Sequence, residues 1–171
     1  MTANATSSSP NLPELLRRLL ATQVELMVVG GTAAVMHGAT TATFDLDVLF
    51  RFSRENCQRL LRALDGLHPR LSHTPDKRPL AYSAQELAGH KNLYLLTDLG
   101  KLDLLGSLPP IGDADSLLPL LEWQDHGGLK IPVVPLELLI QVKAAMDRPK
   151  DKQAEIELRA IAALRGIPRE K

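Results

Sequence analysis

Residues 28–50 read VVGGTAAVMHGATTATFDLDVLF. An apolar run meets two glycines, Gly30 and Gly31. After a gap of thirteen residues Asp45 and Asp47 stand among Phe44, Leu46 and Val48. The first part predicts a short buried strand that ends at the glycines, then a short helix over TAAVMH that Gly38 stops. The second part, FDLDVLF, predicts another strand. Residues i and i+2 of a strand share a face. Asp45 and Asp47 are therefore expected side by side, with Phe44, Leu46 and Val48 turned to the core. Adjacent carboxylates repel and raise each other's pKa unless a cation lies between them. Mg²⁺ suits such a pair, because it takes hard oxygen ligands and leaves room for phosphate oxygens. An ordinary charged strand edge has the same pattern, and these residues alone leave both readings open.

The glycines raise a parallel question. A strand that ends in Gly30-Gly31 and runs into a helix brings bare backbone close to whatever lies above it. The first helical N–H groups are unpaired and the dipole is positive there, which favours an anion. Thr32 adds a hydroxyl. A tight turn without a ligand is the plainer alternative. A third piece lies further on: KLDLLG sets Asp103 between leucines. If its strand lies beside that of Asp45, three carboxylates converge. Two metal ions about 3.5–4 Å apart are then able to bridge an attacking and a leaving oxygen.

The rest of the chain supplies a frame. Leucines recur at helical spacing over residues 12–22, Ser53 opens a helix that runs to about Leu64, and Gly66 ends it. Residues 68–92 carry three prolines and predict a loop or irregular hairpin. NLYLLTD and KLDLLGS predict a hairpin joined at Leu99-Gly100. Pro119 limits any helix in DADSLLPLLEW, and GLKIPVVP predicts a strand or extended edge. LELLIQVKAAMDR has helical periodicity, with Leu136, Leu139, Ile140 and Val142 as core or interface. Asp151 is expected to cap a last helix that stops at Gly166-Ile167-Pro168. The whole reads as a mixed α/β core with a helical C-terminal appendage. The domain reading is a disordered tail over 1–10, a core over 11–134 and C-terminal helices over 135–171.

Bulk composition narrows the classes. The 171 residues suit one domain, and 44% hydrophobic residues argue against generic disorder. Lys+Arg and Asp+Glu are 20 each, so a broad non-specific nucleic-acid footprint is not expected. The one cysteine, Cys57, reads as a structural helix residue and allows no internal disulfide. No apolar run approaches the roughly 18 residues of a membrane span, and the N-terminus lacks a signal-peptide layout. A cytoplasmic setting is expected. His37 reads as a packed, hydrogen-bonded histidine, and Trp123 and Tyr94 as packing residues.

Val29-Gly30-Gly31, the gap, Asp45-Leu46-Asp47-Val48 and Leu102-Asp103-Leu104 together resemble the nucleotidyltransferase superfamily typified by DNA polymerase beta. His37-Gly38 and Thr43 resemble its small bacterial branch, which includes abortive-infection type toxins, and so do Lys143, Arg148, Lys150 and Asp151 in QVKAAMDRPKDKQAEI. The resemblance spans roughly residues 24–160. It implies a nucleotidyltransferase fold and the transfer of a nucleoside monophosphate from an NTP to a hydroxyl acceptor: a tRNA end, a protein side chain or a small molecule. It implies that Asp45 and Asp47, with Asp103, hold Mg²⁺ or Mn²⁺, and that Asp103 also helps to deprotonate the acceptor. Gly30, Gly31 and Thr32 would hold the triphosphate, and Lys143 and Arg148 would offer phosphate charge. An antitoxin-like partner belongs to the same set of expectations. One departure stands out: Thr41 occupies the place where that branch often has Arg. The alternative expectation is a catalytically inactive nucleotide-binding or protein-interaction module of the same fold.

Overall fold

The computed structural model describes residues 9–167. Helix α1 (Leu12–Ala21) opens the described chain. Asn11 caps it, its side chain accepting from the Glu14 amide, and Leu15, Leu16 and Leu19 are buried. Most of the tail expected over 1–10 lies outside the described residues. Strand β1 (Leu26–Val28) is fully buried and passes through Val29 into α2 (Gly30–His37), which Gly38 ends in a left-handed conformation. The helix thus starts at the glycines rather than after them. Strand β2 (Asp45–Phe50) follows, and Ser53 caps α3 (Arg54–Ala63) through the Asn56 amide.

The proline-bearing stretch holds only β3 (Arg70–Leu71) and a turn of helix, α4 (Ala84–Leu87), closed by a reciprocal Ser83–Glu86 capping box. Strands β4 (Asn92–Thr97) and β5 (Gly100–Leu105) form the expected hairpin, with Gly100 at φ +129°. A small ribbon, β6 (Ser107–Leu108) and β7 (Gly112–Asp113), leads to α5 (Ala114–Leu117) and a 3₁₀ turn at Pro119. Strands β8 (Glu122–His126) and β9 (Leu129–Val133) pair antiparallel, and helices α6 (Leu136–Ala145) and α7 (Pro149–Leu164) close the chain.

The main sheet runs β3-β4-β5-β2-β1-β9-β8. Its middle decides the site. Strand β2 lies antiparallel to β1 and parallel to β5, because α3 and the stretch after it carry the chain across before the β4–β5 hairpin returns it. Buried leucines and valines of β2, β4 and β5 meet α1, α3 and α4 in one core. Helices α6 and α7 pack on each other and on α2. Leu136, Leu139, Ile140 and Val142 are buried there.

Four expectations change. Strand β8, EWQDH, has no apolar alternation and was not expected as a strand; it is an exposed edge whose strand neighbour is β9. Trp123 on it is 63% exposed rather than packed. Phe44 is 72% exposed, because β2 begins one residue later and strand alternation does not extend to it. Asp151 does not cap α7. Arg148 holds the N-cap position, Pro149 starts the first turn, and Asp151 is buried one turn in.

Candidate active site

The parallel register of β2 and β5 sets Asp47 opposite Asp103 and Asp45 opposite Lys101. Each pair i, i+2 shares a strand face, so the four side chains form a square: three carboxylates and one ammonium. Lys101 Nζ donates to Asp45 Oδ2 at 3.2 Å and lies 3.3 Å from Asp103 Oδ2. Sequence reasoning passed over Lys101. The signal was present, since it stands two residues before Asp103. Its place opposite Asp45 depends on strand pairing.

The chain folds tightly over this square. Gly30 has φ +61°, a conformation suited to glycine, and a Cβ there would lie 2.2 Å from Asp47 Oδ2. Gly31 is less constrained: a Cβ would meet Thr43 Oγ1 at 3.0 Å. The α2 N-terminus has no side-chain cap at Val29, which leaves its first amides without a side-chain acceptor beside Asp47. The Val29 amide donates to the Asp47 carbonyl. The Thr32 hydroxyl, expected to face an anion, donates to the Asp45 carbonyl at 3.2 Å, and Thr43 donates to the same oxygen at 3.1 Å. The Thr32 hydroxyl ties the start of β2 to α2, and that of Thr43 braces the turn into the strand.

Lys143 and Arg148 converge elsewhere than expected. Lys143 Nζ donates to Asp151 Oδ1 at 2.7 Å and Arg148 Nε to Asp151 Oδ2 at 2.5 Å. The Asp151 side chain is 1% exposed. Burial pushes its carboxyl up, but the two cations outweigh this and hold it below the usual range. Both cations still line the same cleft as the acids, a space of about 550 Å³ that also reaches Thr41, Phe44 and Tyr94.

The electrostatics of the square are unbalanced. Burial, then Asp103 and Asp45, push the Asp47 carboxyl up to about 6 against the pull of Lys101 and Lys143. Burial, together with the charge of Asp45, also raises Asp103 against the pull of Lys101. Burial pulls the Lys101 ammonium down, but Asp103 and Asp45 together hold it above its ordinary value. Asp103 Oδ1 is buried and has no hydrogen-bond partner among the described residues. A carboxylate pair this strained, with an orphaned buried oxygen beside it, fits a divalent cation. Among the described residues no three His, Cys, Asp or Glu side chains form a ready-made metal cage.

Two solved structures share this architecture. One is a lincosamide antibiotic adenylyltransferase with lincomycin bound, 15% identical, with 90% of this chain and 99% of that one covered at a TM-score of 0.57. The other is a presumed nucleotidyltransferase from Thermotoga maritima, 20% identical, with 91% of each chain covered at a TM-score of 0.51. The chain has a nucleotidyltransferase fold. No family model matches it, and no curated protein matches it in sequence. Within this nucleotidyltransferase fold, β2 and β5 bring Asp45, Asp47 and Asp103 together under the α2 N-terminus. Among the described residues no helix is long and apolar enough to cross a membrane.

Proposed function

We propose that the protein is a Mg²⁺-dependent nucleotidyltransferase that moves a nucleoside monophosphate from an NTP to a hydroxyl acceptor. The observation that carries this is the convergence of three carboxylates on two adjacent parallel strands, with Asp47 against Gly30 at an uncapped helix start. Asp45 and Asp47 would hold the cation, which when bound supplies charge neutralisation for the phosphates. The amides at Gly30 and Gly31 present an anion-binding helix start to the triphosphate. Asp103, with its free Oδ1, takes the acceptor's hydroxyl proton. The acceptor oxygen bonds to the α-phosphorus, the bond from that phosphorus to the bridging oxygen breaks, and pyrophosphate leaves with the electron pair. Lys143 offers charge toward the phosphates from its seat on Asp151.

The bound drug of the lincosamide adenylyltransferase makes small hydroxyl compounds acceptors worth testing, with ATP as the first donor to try. tRNA and protein fractions complete the set. A cytoplasmic setting and an antitoxin-like partner belong to the same proposal. The test is incubation with Mg²⁺ and each NTP labelled at the α-phosphate, with mass spectrometry of the acceptor fractions. Asp45→Asn/Asp47→Asn should lose metal–NTP binding. Asp103→Asn should keep binding and lose about 10²–10⁴ in transfer rate, the usual worth of a positioned base. Full transfer in Asp103→Asn defeats the three-carboxylate mechanism. The exposed Thr41 on the cleft wall, where the resembling branch often carries Arg, favours one other reading: a binding module without turnover. Nucleotide binding with no pyrophosphate release from any NTP and fraction would support it.

A further inference from the structure

The paired acids of this fold invite two metal ions, but one cation is already built into the chain. We propose that Lys101 stands in for one of them, so that the site takes a single divalent cation on the Asp45–Asp47 side. This rests on the nucleotidyltransferase reading above.

Three observations converge on it. First, Lys101 Nζ bridges Asp45 Oδ2 and Asp103 Oδ2 at 3.2 and 3.3 Å, two carboxylates that stand diagonally across the strand pair. A metal shared by those oxygens needs contacts of about 2.0–2.1 Å for Mg²⁺ and cannot coexist with an ammonium in the same gap. Second, the position is fixed by backbone register. Lys101 lies opposite Asp45 and two residues from Asp103 on the same face, so the bridge comes with the sheet. Its side chain is only 35% exposed, and Asp103's is 14%. Third, Lys101 reaches Asp45 and Asp103 but not Asp47. Asp47 is the one carboxylate of the three with no ion pair among the described residues, and its Oδ2 packs directly against Gly30, where a Cβ would lie 2.2 Å away. Without nucleotide, the three carboxylates carry three negative charges. One ammonium and one dication cancel them, whereas a second dication would leave the square positive.

Lys101 would then be a positioning residue. It holds Asp103 Oδ2 so that Oδ1 is aimed at the acceptor, and it balances charge that a second metal would otherwise meet.

The test counts Mn²⁺ bound to the full chain without nucleotide, by calorimetry and by the electron paramagnetic resonance of bound Mn²⁺. The parent should bind one Mn²⁺ per chain. Lys101→Met should bind two, with the line broadening of a coupled pair, and Lys101→Arg should stay at one. Two Mn²⁺ in the parent would overturn the inference and leave the metal-dependent reading standing. So would one Mn²⁺ in a folded Lys101→Met chain. No Mn²⁺ in either chain would bring down both the inference and the metal-dependent reading. If Lys101→Met does not fold, the parent count and Lys101→Gln decide the matter by the same criteria.

Discussion

Asp47 carries the strain of the site in a single side chain. Its carboxyl, at about 6, binds its proton more tightly in the folded protein than the unperturbed value of 3.8. An acid raised in this way favours folding below about pH 4 and loses that contribution as pH rises through 6. Without divalent cations, Asp47→Asn should therefore match the parent near pH 4 and melt higher at pH 7.5. The ceiling is about 3 kcal/mol, from roughly two pKa units at 1.36 kcal/mol each, or some 5–10 °C in a domain of this size. Mn²⁺ should close the gap by stabilising the parent alone. Melting curves of the two chains at both pH values check this, and equal midpoints at pH 7.5 would show that Asp47 is not strained. The pair Asp45–Asp47 was legible in the sequence, because strand period alone puts i and i+2 together. The same rule joins Lys101 to Asp103. What the sequence withholds is the pairing of β2 with β5, and with it the bridge from Lys101 to Asp45. Phe44 was misplaced for a related reason: alternation holds only inside the strand, and the strand starts at Asp45.

Among the elements, α7 is held to the site by its first turn. Asp151 is buried there between Lys143 of α6 and Arg148. Removing one partner of a buried ion pair costs about 3–5 kcal/mol, mostly for the charge left behind. Arg148 remains with Asp151 in Lys143→Met, so the lower end applies. We expect a loss of about 3 kcal/mol, or some 6–12 °C in thermal midpoint. Lys143→Met/Asp151→Leu should recover most of it, because no buried charge is then stranded and Arg148 already reaches solvent. A destabilisation that persists in the double variant would place the cost in packing instead of charge. The sequence showed α6 and α7 as periodic helices, but it suggested Asp151 as a cap. Only the fold of α6 back along α7 reveals the aspartate as a buried anchor. Strand β8 was unreadable for a different reason. Its residues are polar because nearly all of them are exposed, and its place in the sheet comes from backbone pairing with β9.

Across the whole molecule, the C-terminal helices are fastened to the core at a second point, far from Asp151. His37, at the end of α2, is buried and donates from Nε2 to the Val134 carbonyl at 2.7 Å. Arg165, just past α7, reaches the His37 carbonyl at 2.8 Å and lies 3.3 Å from Nδ1. Gln124 of β8 approaches the same nitrogen at 3.5 Å. One imidazole thus ties α2 and the sheet end to the terminus of α7. The arrangement needs a neutral ring, since Nδ1 faces donors. Burial, with Arg165, holds the His37 pKa below its ordinary 6.5, against the Val134 carbonyl and the charges of Glu122 and Glu137. A base lowered in this way contributes stability above its unfolded pKa and loses it as pH falls through 6.5 toward the folded value. Asp47 works in the opposite sense between about pH 4 and 6, so the measurement belongs in an Asp47→Asn background. There, the thermal midpoint should drop from pH 7.5 to pH 5 by more than in the same chain carrying His37→Gln, a substitution that can still donate to Val134 while staying neutral. Arg165→Met should weaken the fastening at pH 7.5 and shrink the drop, because the cation facing the ring is then gone. A drop of equal size with histidine or glutamine at position 37 would mean that α7 is fastened by apolar packing alone, through residues such as Leu158 and Ala162.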